Sequence, residues 1–304
     1  MTRMVIDFLK RGSKHYLKHN ASIFVHIVQV GTGATGGQLV QMIAQMLGTM
    51  NVKGKYVIAD SDIVEEKNLQ NQLFIKKDVG KPKADVLAQR YRAAYQVDIG
   101  SYSEKYVEDI ETLTKLFNKD YSGVSNNSYY YVYLPILISC VDNKFSRKLF
   151  HEYFEQSKGN LLYLDVGNES VTLPEDVDKP RSNWTQDEIE TYNKSGYTGQ
   201  VVAGLKLNGE IITEPLGTLF PDILEITESD IAPSATSCGE VIASEPQRLI
   251  TNRYAALCTA TYLNELFSEG TLSNHITFFH AKRMYVRTEP IKAKQEDQST
   301  LNVG

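Results

Sequence analysis

The fifty residues from Ile23 to Gln72 constrain the fold more than any other stretch. An apolar run, Ile23–Val30, enters Gly31-Thr32-Gly33-Ala34-Thr35-Gly36, and Leu39, Val40, Ile43, Met46 and Leu47 then fall at helical spacing. The pattern predicts strand, glycine turn and helix. Glycine suits such a turn because it tolerates positive φ and lets a phosphate approach the backbone. The helix behind it presents unpaired N–H groups and a positive dipole end to that anion. A second strand over Tyr56–Ala59 delivers Asp60 and Asp62, well placed for a ribose hydroxyl. Together these predict a nucleotide site. The glycine pattern alone does not choose the nucleotide, because NAD and FAD satisfy it as well as ATP does.

The rest of the first half keeps the same alternation. A helix is expected from Asp78–Lys83 to about Ala94, with Pro82 near its first turn. A short strand near Ile99–Ser103 and a helix near Val107–Asn118 follow, and Ser122–Ser128 has loop composition. Tyr129–Val141 is almost continuously apolar and aromatic, as a central parallel strand would be, and its four tyrosines are read as packing. Phe145–Gln156 resumes as helix and Leu161–Val166 as a buried strand. Strands alternating with helices give the fold class: α/β, Rossmann-like and doubly wound, with a mostly parallel sheet.

Beyond residue 166 the pattern breaks. Residues 167–199 are polar, acidic and poor in aliphatics, with a helical turn at Gln186–Tyr192. Gln200–Leu207 and Glu210–Thr213 read as a hairpin around Asn208-Gly209. A long helix is expected from Ser244, with Gln247 completing a capping box, to about Phe267. Its expected core face carries Leu249, Ile250, Tyr254, Leu257, Thr261 and Leu266. Ile276–His280 and Met284–Thr288 predict an antiparallel hairpin near the end. No repeat and no independent second domain is visible. One domain over 1–304 is expected: an arm (1–22), a nucleotide-binding half (23–166), a crossover segment (167–236), a return helix and hairpin (237–291) and a tail (292–304).

Composition excludes several classes. A net charge of −5 offers no electrostatic footprint for nucleic acid. No apolar run approaches the roughly 20 residues of a membrane span. The N-terminus places its apolar patch before its basic residues, the reverse of a signal peptide, so a cytoplasmic location is expected. Three scattered cysteines, Cys140, Cys238 and Cys258, argue against a disulfide framework and a structural zinc site. His15, His19 and His26 are read as surface or satisfied side chains.

The order of landmarks resembles the E1-like, ThiF-type adenylyltransferases, with the nearest likeness to the ThiF-related proteins of bacterial ParB-related/ThiF-related cassettes. The likeness runs from about Ile23 to Ile291. It rests on Gly31–Gly36, Asp60-Ser61-Asp62-Ile63-Val64-Glu65, Asn68-Leu69-Gln70-Asn71-Gln72, Asp78-Val79-Gly80-Lys81-Pro82-Lys83 and Cys140-Val141-Asp142-Asn143. Gly199-Gln200-Val201-Val202, Leu219-Phe220-Pro221-Asp222 and Ser237-Cys238-Gly239-Glu240 extend it. The resemblance implies an ATP- and Mg²⁺-dependent enzyme, a homodimer, that adenylates the C-terminal glycine of a small ubiquitin-like or sulfur-carrier protein. An E2-like conjugating protein is a further partner it allows. It places Gly31, Gly33 and Gly36 beside the nucleotide, Asp60 and Asp62 on the ribose side, and Asn68, Gln72 and Lys83 on the phosphates. It gives Asp142 to Mg²⁺ and the adenylate, against a bland reading of Asp142 as a helix cap. Arg147 is read as structural.

Two positions leave alternatives open. Relatives usually carry arginine where this chain has Asn71, which removes a bidentate phosphate clamp. Lys76, Lys77 or a partner subunit's arginine are candidates to replace it, and relatives do use an N-terminal arginine finger across the dimer. Arg11 is the candidate finger here and Arg3 the second. Cys238 stands where some relatives accept the activated carboxyl as a thioester, against a reading as an incidental thiol. A nucleotide-binding scaffold without turnover and, on the glycine turn alone, an NAD(P)-dependent oxidoreductase are the competing functions.

Overall fold

Among the described residues, eleven strands and eight helices form in the order the apolar pattern sets. The structure is a computed structural model that describes residues 3–14, 16–118, 129–227, 232–235 and 247–292. The chain opens with β1 (Ile6–Asp7), α1 (Phe8–Arg11), β2 (Ser22–Val30), α2 (Ala34–Thr49), β3 (Lys53–Ala59), α3 (Lys83–Tyr95) and β4 (Ile99–Tyr102). Next come α4 (Ile110–Leu116), β5 (Tyr131–Ser139), α5 (Lys144–Gln156), β6 (Leu161–Asn168), α6 (Gln186–Lys194), β7 (Thr198–Leu207) and β8 (Glu210–Thr213). It closes with α7 (Leu216–Leu219), α8 (Leu249–Glu269), β9 (Thr271–Leu272), β10 (Asn274–His280) and β11 (Tyr285–Pro290).

The main sheet runs β4-β3-β2-β5-β6-β7-β10-β11, with β8 paired to β7. From β4 to β6 every neighbour is parallel, and from β6 onward every pairing is antiparallel. The chain builds outward from β2 through β3 to β4, then crosses back to lay β5 on the other side of β2. That reversal is the switch point where open α/β sheets bind ligands. The register puts Val30 level with Ala59 and Ser139, so the turns after β2, β3 and β5 emerge together.

Alternating side chains feed two cores. Val25 and Ile27 of β2, Tyr56 and Ile58 of β3 and Leu134, Ile136 and Ile138 of β5 face α2, α3 and α8. Val28, Val30 and Leu137 face α4 and α5, where Phe150 and Phe154 are fully buried. Burying such a side chain contributes about 1.5–3 kcal/mol. His26 is satisfied inside this core by the Tyr133 hydroxyl at 2.8 Å. Asp109 caps α4, accepting from the Thr112 N–H at 2.6 Å and the Thr112 hydroxyl at 2.8 Å. The Thr112 backbone bond in particular holds its carboxyl down at about 2, against an ordinary 3.8. A carboxyl depressed on folding adds stability above its ordinary value and loses it as pH falls through the folded value. Asp109→Ala should therefore cost about 1 kcal/mol at neutral pH, a difference that vanishes in acid; paired thermal melts across that range check it.

Several expectations need correction. The first residues are not merely an arm: Ile6 and Phe8 are fully buried, and β1 pairs antiparallel with β9. The span 167–236 is not one covering segment, because β7 lies inside the sheet between β6 and β10. Tyr129 and Tyr130 are exposed rather than packed; β5 starts only at Tyr131. The long helix is described as Leu249–Glu269 with Arg248 as N-cap; the expected start at Ser244 and the first-turn Pro246 lie outside the described residues. Its buried face is displaced in part: Leu266 is buried and Tyr254 packs on the core, as expected. Leu249, Ile250 and Leu257 are exposed, while Thr251, Asn252, Ala255, Ala256, Thr259 and Leu263 are buried. The helix packs against α2 and also against β6, β7 and β10, and its buried residues mix small Ala255, Ala256 and Thr259 with bulky Tyr262, Leu263 and Leu266.

Candidate functional site

At the switch point the glycine turn is built by three different constraints. Gly31 sits at φ +93, and a Cβ there would lie 2.5 Å from the Cys140 carbonyl oxygen. Gly36 would bring a Cβ within 2.1 Å of the Gly31 carbonyl oxygen. These two glycines are demanded by the protein's own backbone. Gly33 is not: a Cβ there would meet only the Gln72 Nε2, at 4.0 Å, and otherwise open space. The turn therefore keeps a hollow above Gly33, at the N-terminus of α2, where an anion is favoured. Gln29, fully buried on β2, braces the turn from beneath. Its Nε2 donates to the carbonyls of Gly31 and Gly36, both at 3.0 Å, and its Oε1 accepts from the Tyr56 hydroxyl at 2.7 Å.

Asp60, just past β3, spends both carboxylate oxygens on the scaffold. Oδ2 accepts from the Thr32 N–H at 2.7 Å and the Thr32 hydroxyl at 2.8 Å, and Oδ1 from the Asp62 N–H at 2.9 Å. Asp62 instead faces outward. Its Oδ2 pairs with Lys83 Nζ at 2.9 Å and its Oδ1 accepts from the Tyr106 hydroxyl at 2.6 Å. Burial pushes the Asp62 carboxyl up, but Lys83 and the Tyr106 hydroxyl outweigh it and hold the group below its ordinary range. Burial and the adjacent Asp62 charge push Asp60 the other way. Lys83 is 7% exposed, at the first position of α3, and its N–H donates to Asp62 O at 2.8 Å.

The segment between these elements folds into two short 3₁₀ turns. Asn68 is buried and its Oδ1 accepts from the Glu65 N–H at 2.8 Å. Gln72 lies over the hollow, and its Oε1 is buried without a hydrogen-bond partner among the described residues. Asn71, half-buried, closes the first turn. Lys76 and Lys77 are exposed on the second, where Asp78 is pinned by Arg90.

Across the switch point, after β5, Asn143 rather than Asp142 caps α5, accepting from the Ser146 N–H at 2.8 Å. Asp142 is exposed, and among the described residues nothing engages its carboxylate. Arg147 is structural, as expected: Nη2 donates to the Val141 and Val166 carbonyls at 3.4 and 3.1 Å, and Nε lies 3.5 Å from buried Asp165. Burial raises the thiols of Cys140 and Cys258, the latter to about 11, which fits packing rather than nucleophilic roles. Cys238 lies outside the described residues, as does His15. Arg11 stands at the far end of the sheet, where the neighbouring Gly12 carbonyl and the Tyr133 carbonyl share Asn160 Nδ2. Most of β5, from Tyr133 to Ser139 and about 20 Å long, separates it from the turn in its own chain. Among the described residues no group of three or more His, Cys, Asp or Glu could hold a metal, and no helix is long and apolar enough to cross a membrane.

Beside the switch point a groove of about 900 Å³ opens where β6 ends and β7 begins, walled by Arg147, Asn168, Gln200, Phe278, Arg283 and Tyr285. Tyr106, Thr32 and Gln29 were not singled out from the sequence. A glutamine inside the apolar run IFVHIVQV was the one available signal; Tyr106 has none, since only folding brings it to Asp62.

A family model described as the ThiF family matches residues 18–300. The NEDD8-activating enzyme E1 catalytic subunit of Saccharomyces cerevisiae is 33% identical over 100 residues, covering 32% of this chain and 31% of its own length. Human ubiquitin-like modifier-activating enzyme 7 is 42% identical over 69 residues, 22% of this chain and 7% of that protein. Among solved structures, E. coli MccB with ATP superposes with a TM-score of 0.52 at 14% identity, covering 89% of this chain and 64% of MccB. PaaA gives 0.51 at 16% identity, with 88% and 64% covered. These structural likenesses establish a shared fold, and the chain spans less than two thirds of each relative.

Proposed function

The chain belongs to the ThiF family, and from that premise we propose that it uses ATP to adenylate the C-terminal carboxylate of a small partner protein or peptide. The observation that carries this reading is the grouping at one switch point of an open glycine hollow, a buried lysine and a free carboxylate, Asp142. The relatives named as activating enzymes, and the MccB structures with ATP and with AMPCPP and MccA, support it. The oxidoreductase reading has the glycine turn and Asp60 alone behind it.

In the proposed reaction a carboxylate oxygen of the partner attacks the α-phosphorus of ATP. The bond to the bridging oxygen breaks, pyrophosphate leaves with the electron pair, and an acyl-adenylate remains. Catalysis of this kind rests on positioning and on charge placed where phosphate charge grows. Asp62 takes the ribose hydroxyls, while Asp60 acts through the turn it holds. The hollow over Gly33 receives phosphate oxygens, with Asn68, Asn71, Gln72 and Lys83 around it. Asp142 is the residue that would hold Mg²⁺, which would neutralise charge on the phosphates and needs few protein ligands.

The partner is a ubiquitin-like or sulfur-carrier protein ending in glycine, its tail laid along the 900 Å³ groove toward Asp142. Since Arg11 stands at the far end of its own sheet, an arginine finger would come from a second copy. A further step transfers the acyl group to the Cys238 thiolate with loss of AMP, and an E2-like protein could then receive it. The whole chain acts as one adenylation domain. ATP–pyrophosphate exchange, driven by small glycine-terminated proteins encoded beside it, tests the reading. Nucleotide binding without exchange would favour the scaffold that Asn71 makes conceivable, and no ATP binding would overturn both.

A further inference from the structure

One turn of α8 ties together three parts of the fold that the proposed reaction needs. Arg248, its N-cap, donates from Nε to the Ser195 carbonyl at 2.9 Å and from Nη2 to the Tyr192 carbonyl. Its guanidinium lies over the rings of Tyr192 and Tyr197, at 4.8 and 4.2 Å. Thr251, fully buried, donates to the Gly196 carbonyl at 2.7 Å. Asn252, also fully buried, accepts through Oδ1 from the Thr35 hydroxyl and from Asn168 Nδ2, each at 2.9 Å. Asn168 Nδ2 donates to the Thr35 hydroxyl oxygen as well, at 2.9 Å, closing a triangle.

The three segments that this turn of α8 holds belong to different functional parts. Thr35 is the fifth residue of the glycine turn, Asn168 ends β6 at the groove, and residues 192–197 lead from α6 into β7, whose Thr198, Gly199 and Gln200 line the groove. The triangle is expensive to keep. Asn252 Nδ2 and Asn168 Oδ1 are buried without a partner among the described residues. A buried polar atom left unpaired is destabilising, and a small apolar residue at 252 would match the alanines along the same face of α8. A polar tie that the packing does not need, and that joins the phosphate turn to the groove wall, is better explained by coupling than by stability.

We propose that Asn252 and Asn168 are positioning residues that couple nucleotide binding at the glycine turn to the order of residues 192–202, the stretch that carries Thr198, Gly199 and Gln200 of the groove wall. The inference rests on the nucleotide reading above. Anything that fixes Thr35 fixes Asn252, and with it the α8 turn that holds Tyr192, Ser195 and Gly196. By linkage, a filled groove would tighten nucleotide binding by the same factor.

Hydrogen exchange of the full chain, with and without saturating ATP and Mg²⁺, tests this. In the wild type, nucleotide should slow backbone amides over 192–202 by about tenfold. Asn252→Ala and Asn168→Ala should still bind ATP by calorimetry yet lose most of that slowing. If both variants bind ATP and slow these amides as the wild type does, or if the wild type binds ATP with no slowing there, the coupling is overturned and the nucleotide reading survives. If the wild type binds no ATP, the nucleotide reading falls and the coupling falls with it. Should Asn252→Ala fail to fold, half-buried Asn168 decides the matter.

Discussion

Lys83→Ala should lower partner-driven ATP–pyrophosphate exchange by about a hundredfold or more, the scale seen when one preorganised donor to transition-state charge is removed. Its ammonium is almost fully buried and already paired with Asp62 at 2.9 Å, so its position is set before any nucleotide arrives. The change in stability should be far smaller. Asp62 has a partly exposed side chain and keeps the Tyr106 hydroxyl at 2.6 Å, so its carboxylate can rehydrate when the lysine is gone. The pH behaviour separates the two roles. With Lys83 present, Asp62 stays ionised below the ordinary 3.8, and the stability this adds is lost only as pH falls through that lowered value. In the alanine variant the titration should move upward, visible by NMR of the Asp62 carboxyl. Exchange retained at the wild-type rate would remove Lys83 from the reaction.

Asp142→Asn should likewise lower exchange by about a hundredfold, with a melting temperature unchanged within about 2 °C. The reason is that this exposed carboxylate is engaged by nothing among the described residues and the helix after it is capped by its neighbour. The adjacent Asn143→Ala gives the opposite profile: loss of the α5 cap should cost about 1 kcal/mol of stability and leave the chemistry largely intact. Raising Mg²⁺ should partly restore Asp142→Asn if the carboxylate serves the ion. A variant that melts early, or that exchanges normally at ordinary Mg²⁺, would return Asp142 to a structural role.

The parallel half of the sheet was legible because its strands are buried on both faces and read as unbroken apolar runs: Ile23–Val30, Tyr56–Ala59, Tyr129–Val141 and Leu161–Val166 all became strands within a few residues. The Asn208-Gly209 hairpin was equally plain, since both residues adopt the positive φ such a turn requires. Reading α8 failed for a definite reason. Helical periodicity marks bulky apolar side chains, whereas the buried part of α8 also includes small and polar ones, so Ala255, Ala256 and Thr259 went inside and Leu257 outside.

From sequence alone came the glycine turn, the carboxylates after β3, the lysine at the start of α3 and the family they resemble. Each is written in a short local stretch whose backbone requirement only certain residues meet. Tertiary structure alone decided what each carboxylate does. Asp60 and Asp62 are two residues apart and chemically identical, yet one is absorbed by Thr32 while the other meets Lys83 and Tyr106. The same holds for Asn252, which joins Thr35 from 217 residues away. Hydrogen bonds depend on geometry over a few tenths of an ångström, and between distant segments only the packed fold supplies it.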